Sequence, residues 1–140
     1  MIGIGIIGAG NFSSRHIEAI EKIPSLSLKV ICRRDAASLA LLTDKYKLKG
    51  VTDYHQIINN PEIDAVLIAT PHHLHTQIAL EAAATGKHIL LEKPMASTYS
   101  DCKAIYEACE KSGVKLMIGQ VAQFSPSFIA AKKCIASGEI

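Results

Sequence analysis

The sequence predicts a three-layered α/β fold, a doubly wound parallel sheet of strand order 3-2-1-4-5-6. Three observations predict it. Strand-like and helix-like hydrophobic patterns alternate along the whole length, the signature of a parallel sheet covered by helices on both faces. The run Asp64-Ala65-Val66-Leu67-Ile68-Ala69 is unbroken after its first residue, as a strand buried on both faces requires. The first run, Gly3-Ile4-Gly5-Ile6-Ile7, stops at Gly8-Ala9-Gly10-Asn11-Phe12-Ser13 and passes at once into a helical pattern.

The elements follow in order. After the glycine turn, Ile17, Ala19, Ile20 and Ile23 recur at helical spacing within Ser14 to Ile23, and Pro24-Ser25 ends the helix. Leu28 to Cys32 is the second strand. Asp35 is the N-cap of a helix reaching Tyr46, with Leu39, Leu42 and Tyr46 inward. Gly50-Val51-Thr52 is a short third strand, and Asp53 caps a brief helix over Tyr54 to Ile58. The central fourth strand closes at Thr70-Pro71. A helix from His75 to Thr85 stops at Gly86. His88 to Leu91 is the fifth strand and ends in Glu92-Lys93-Pro94. Ser100 to Ser112 is a helix stopped by Gly113, Lys115 to Ile118 the sixth strand, and Pro126 starts a last helix that stops near Gly138. The expected organisation is one dinucleotide-binding unit over 1–124, followed by a helix over 125–140.

The totals narrow the function. A length of 140 residues suits one domain with a substantial core. A net charge of +2, without a basic run, and an aromatic content of 5% argue against nucleic acid as a partner. No stretch reaches the roughly 18 apolar residues of a membrane span, and no cleavable leader is visible. Cys32, Cys102, Cys109 and Cys134 are widely spaced, which reads as reduced thiols in a cytoplasmic protein.

In a doubly wound sheet the ligand lies outside the carboxyl ends of the strands. Gly8 to Ser13 fits G-x-G-x-x-small: Gly8 permits the tight turn, and Gly10 lets backbone approach a pyrophosphate. The helix that follows aims free N–H groups at that anion. Asn11, Phe12 and Ser13 complete the turn as cofactor-binding candidates. At the end of the second strand stand Arg33 and Arg34, whose planar forks suit a 2′-phosphate. Either they bind that phosphate and select NADP, or they are a solvated pair and Asp35 holds the ribose of NAD. Asp35 is better explained as a helix cap, which favours NADP.

The fourth strand ends in Thr70-Pro71-His72-His73-Leu74-His75. Three histidines at a helix start do not converge on one metal ion and have no cysteine or acid cluster beside them. Capping the helix entry and lining the nucleotide cleft are the preferred roles, with no metal. Glu92 can hold a ribose hydroxyl. Lys93 can hydrogen-bond a reacting hydroxyl or carbonyl, and Pro94 can fix the turn, with a cis bond allowed there.

With these pieces in place, the chain resembles the N-terminal domain of the Gfo/Idh/MocA oxidoreductases, the family of glucose–fructose oxidoreductase and inositol dehydrogenase. The resemblance rests on Asp53-Tyr54, Asn60 to Val66, and Ala69-Thr70-Pro71 with His75. It continues through Gly86-Lys87-His88, Leu91-Glu92-Lys93-Pro94, Ser125-Pro126 and Ser137 to Ile140. It implies an NAD(P)-dependent Rossmann-fold enzyme acting on a sugar, polyol or similar alcohol or ketone. Thr70, Pro71 and His75 are then implied to line the cofactor cleft. Glu92 and Lys93 are implied to sit near the nicotinamide ribose, with Lys93 assisting catalysis.

Two residues depart from the family pattern. Arg33 stands where many members carry a ribose-binding acid, and Gln123 where an arginine before the phenylalanine is usual. The resemblance also implies a second α/β domain, not contained in this chain, that supplies the substrate pocket, an Asp and a His, and a homo-oligomer interface. On that expectation the 140-residue chain alone is inactive. The alternative reading is a non-catalytic NAD(P)-binding regulator on the same domain. The intact Glu92-Lys93-Pro94 favours the enzyme.

Overall fold

A computed structural model describes residues 1–10 and 13–139. Its elements are β1 (Ile2–Ile7), α1 (Ser13–Glu21), β2 (Leu26–Cys32), α2 (Ala36–Tyr46), β3 (Lys49–Val51) and α3 (His55–Ile58), then β4 (Ala65–Ile68), α4 (His75–Ala84), β5 (His88–Leu91), α5 (Tyr99–Ser112), β6 (Leu116–Ile118) and α6 (Pro126–Ser137). Short 3-10 turns at His72–Leu74 and Val121–Phe124 lead into α4 and α6. The strands form one sheet in the order β3-β2-β1-β4-β5-β6, the predicted order. Every pairing in it is parallel, for instance Ile6 opposite Ile31 on one side and Leu67 on the other.

The two-residue period of a strand sends alternate side chains to opposite faces, and two cores result. Ile7, Val30, Cys32, Val66, Ile68, Ile89 and Leu91 join Ile78, Ala79 and Ala82 of α4 and Ile105 of α5 on one face. Ile4, Ile6, Ile31 and Leu67 join Ile17 and Ile20 of α1 and Leu39 of α2 on the other. Burial on both faces is why β1 and β4 read as continuous apolar runs.

Local chemistry sets the ends. Asp35 caps α2, its Oδ1 accepting the Ser38 N–H at 2.8 Å. The Asp53 carboxylate accepts the His55 backbone N–H at 3.0 Å, which starts α3 one residue later than the pattern suggests. Thr98 caps α5 by accepting the Asp101 N–H, and this moves the helix start to Tyr99. Lys87, buried ahead of β5, donates from Nζ to the carbonyls of Asn60 at 2.8 Å and Ile63 at 2.7 Å. That ammonium anchors the loop entering β4.

α6 packs chiefly against the turn before it and leaves Phe128 and Ile135 exposed. Among the described residues, no helix is long and apolar enough to cross a membrane.

Candidate functional site

The carboxyl ends of β1 to β4 enclose a cleft of about 460 Å³. The glycine turn, Gly8 to Gly10, forms one wall. Gly8 takes φ +93°, and a Cβ built on it would lie 2.6 Å from the Ala69 carbonyl carbon and 2.7 Å from the Thr70 nitrogen. Only glycine fits where β1 turns against the end of β4. Gly10 differs. Among the described residues, a Cβ there would meet only the Gly8 oxygen, at 3.9 Å. No described part of the protein requires a glycine at this position, so the space beside it suits a close-approaching ligand.

Ser13, the first residue of α1, is fully buried, and its hydroxyl donates to the Gly10 carbonyl at 2.6 Å. It closes the turn from behind rather than facing the cleft. Asn11 and Phe12 lie outside the described residues.

Arg33, Arg34 and Asp35 line the cleft from the end of β2. Arg33 donates from Nη1 to the Ala9 carbonyl at 2.9 Å, which clasps the turn to β2. A guanidinium has five N–H donors, so most of its fork remains available. Arg34 is exposed. The Asp35 carboxylate is engaged by Ser38, and that hydrogen bond holds its pKa below the ordinary value. Burial pushes the Cys32 thiol at this strand end up to about 11.

Ala69, Thr70, Pro71 and Leu74 line the cleft from the β4 side. The Thr70 hydroxyl is buried and has no hydrogen-bond partner among the described residues. A buried hydroxyl without a partner, on a residue of the cleft wall, suits a polar ligand. With the open side of Gly10 and the two guanidinium groups, this donor set fits a phosphate-bearing dinucleotide.

His75 is buried and does not line the cleft; its ring nitrogens lie 2.9 Å from the Thr70 and Pro94 carbonyl oxygens. The ring thereby bridges the end of β4 and the turn after β5. His72 is exposed in the 3-10 turn and stands outside the cleft lining. Among the described residues, no group of three or more His, Cys, Asp or Glu side chains can hold a metal ion.

Glu92 and Lys93 lie beyond β5, on the other side of β4 from the glycine turn, and do not line this cleft. Glu92 accepts from the Lys93 N–H through Oε2 at 3.2 Å, and His16 Nε2 of α1 lies 2.9 Å from Oε1. Lys93 is exposed, and its bond to Pro94 is cis.

The structure adds residues that the motif reading passed over. Thr52, Tyr54, Gln77 and Ile78 line the cleft from the β3 end and from α4. Tyr54 donates to Glu81 Oε2 at 2.7 Å, and Gln77 donates from Nε2 to Glu81 Oε1 at 3.1 Å. His55 Nδ1 lies 2.6 Å from Asp53 Oδ1 and its Nε2 lies 3.2 Å from Glu81 Oε2. Burial and the Glu81 bond push the Tyr54 hydroxyl up to about 12, while the Tyr54 bond lowers the Glu81 pKa. The available signal was positional, since the β3 end shares its sheet edge with the glycine turn. A second hollow of about 790 Å³, between α5 and β6, contains none of the candidate residues.

The sequence model of the Gfo/Idh/MocA group, described as an oxidoreductase family with an NAD-binding Rossmann fold, matches residues 2–120. Inositol 2-dehydrogenase of Salmonella typhimurium is 30% identical across 97% of this chain and 42% of its own length. The WlbA dehydrogenase of Bordetella pertussis, solved with NADH and UDP-GlcNAcA, superposes with a TM-score of 0.92 at 30% identity, covering 98% of this chain and 42% of that one. Biliverdin reductase of Synechocystis sp., solved with biliverdin and NADP+, superposes with a TM-score of 0.88 at 29% identity. It covers 96% of this chain and 43% of the reductase. The chain spans about two fifths of the length of the curated relatives it matches.

Proposed function

The chain belongs to the Gfo/Idh/MocA oxidoreductase family, and from that premise we propose that it is the dinucleotide-binding part of an NADP(H)-dependent oxidoreductase. The reaction moves a hydride between nicotinamide and a sugar, polyol or similar alcohol or ketone. The observation that carries this reading is Gly10, a turn glycine that no described protein contact requires, set beside two arginines and a buried threonine hydroxyl without a partner among the described residues. Inositol 2-dehydrogenase and the UDP-GlcNAcA complex support the substrate class.

Nicotinamide supplies the hydride chemistry when bound, and the chain binds, orients and handles the proton. Gly8 to Phe12 hold the pyrophosphate against the start of α1, with Ser13 bracing the turn from behind through Gly10. Thr70, Pro71 and Leu74 form the facing wall, backed by His75 and flanked by His72. Glu92, its carboxylate oriented by His16, holds the nicotinamide ribose. Lys93 is the catalytic residue: it hydrogen-bonds the reacting oxygen and assists its proton transfer. Residues 1–124 are the cofactor unit on this reading, and α6 leads toward a substrate domain. The free thiols fit a cytoplasmic setting.

Relatives bind NADH or NADP+, so the choice rests on this chain's own residues. Arg33 and Arg34 offer forked donors to a 2′-phosphate, and Asp35 is occupied as a cap. Calorimetric titration of the chain with NADPH and with NADH tests the proposal. NADPH binding at least about tenfold tighter is expected from a charge-assisted phosphate contact. Equal affinities remove the phosphate assignment, and binding of neither removes the dinucleotide reading.

A further inference from the structure

We propose that Gln77 reads the base of the dinucleotide, accepting a hydrogen bond through Oε1 from the adenine amino group and so rejecting bases that carry an oxygen there. The inference rests on the dinucleotide reading above and goes beyond it to the choice of base.

The orientation of the Gln77 amide carries the argument. A carboxylate only accepts, so the amide nitrogen must face Glu81 Oε1, which lies 3.1 Å away. The same nitrogen lies 3.5 Å from the Tyr54 hydroxyl oxygen, which has given its own proton to Glu81 Oε2. Glu81 is itself held, because His55 Nε2 lies 3.2 Å from Oε2 while Asp53 engages the other ring nitrogen. Both donor directions of Gln77 are thus turned toward Glu81 and Tyr54. Its Oε1 accepts from no described residue, and the side chain lines the cleft.

The surroundings suit a flat ring. Pro71, Leu74, Ile78 and Tyr54 bring apolar surface to the same cleft, and a nucleobase has apolar faces with polar atoms only at its edge. Gln77 Oε1, a fixed acceptor beside these apolar side chains, matches the exocyclic amino group of adenine. It opposes the exocyclic oxygen of hypoxanthine or guanine, where two acceptors would meet.

The test is a titration of the chain with NADPH and with its reduced hypoxanthine counterpart, read by nicotinamide fluorescence. Wild type is expected to prefer adenine by about tenfold, the scale of one net hydrogen bond. Gln77→Leu, at an exposed helix position that tolerates leucine, is expected to bring the ratio near one. Glu81→Gln leaves residue 77 intact but lets its amide turn over, and the hypoxanthine form is expected to gain. A ratio unchanged by Gln77→Leu, with both dinucleotides still bound, overturns base reading and leaves the dinucleotide site standing. Binding of neither form by wild type overturns both.

Discussion

Arg33 donates to the carbonyl of Ala9 across 2.9 Å, so the residue at the end of β2 also holds the glycine turn in place. Arg34, its neighbour, makes no such bond among the described residues and is exposed at the cleft. The two arginines therefore differ in what their removal does. Arg34→Ala is expected to weaken NADPH about tenfold and leave NADH nearly unchanged. Arg33→Ala is expected to weaken both, because the turn loses its clasp. Calorimetry on the two variants with both nucleotides checks this, and an equal loss from Arg34→Ala would sink its role at the phosphate.

The glycines separate folding from binding. Gly8→Ala forces a Cβ within 2.6 Å of backbone at φ +93°, and a loss of about 2 kcal/mol or more in denaturant unfolding is expected. Gly10→Ala meets, among the described residues, only one backbone oxygen, at 3.9 Å. Its stability should stay within about 0.5 kcal/mol of wild type. Its affinity for either dinucleotide should fall more than about tenfold, a loss of over about 1.4 kcal/mol. A Gly10→Ala protein that still binds normally would remove the close-approach argument.

Lys87 is a structural cation. Lys87→Met keeps the stem but strips a charged donor from the carbonyls of Asn60 and Ile63. Unfolding free energy is expected to drop by about 2–3 kcal/mol, with dinucleotide affinity unaltered in the protein that remains folded. Thermal melts and one titration distinguish this from a role in binding.

His55 links stability to pH. The hydrogen bond that the His55 ring donates to the Asp53 carboxylate raises its pKa above the ordinary 6.5, so the folded chain holds the proton more tightly than the unfolded one. This contribution is whole below pH 6.5 and is lost as pH rises through the folded value. Melting temperature is expected to decline more over that interval in wild type than in His55→Gln. Parallel slopes for the two proteins would show that the ring contributes nothing there.

Much of this molecule was readable from residue order. Alternating patterns and the unbroken β4 run marked the sheet, and Asp35 announced its cap three residues before its partner, Ser38. Side-chain geometry was less accessible. Tyr54 and Gln77 stand 23 residues apart in sequence, and no local period brings them together. Ser13 reads as a ligand contact in the motif, yet its hydroxyl turns inward to Gly10. α2 ends at Tyr46 and is capped by Lys47 with φ 53°, where no glycine signals a stop. Tyr54 and Gln77 meet through a tertiary contact, whereas Ser13 and Lys47 are settled by local hydrogen bonds to Gly10 and Thr43 that a propensity scale does not record.

The buried ring of His75 acts as a spacer of fixed size. It spans from the Thr70 carbonyl to the Pro94 carbonyl, so the gap between the loops after β4 and β5 is gauged by an imidazole. The parallel pairing of β4 with β5, Ile68 opposite Leu91, brings the two strand ends together, and the ring sits between the loops that leave them. A histidine at this position works as a ruler for the site although it lies out of reach of anything bound there.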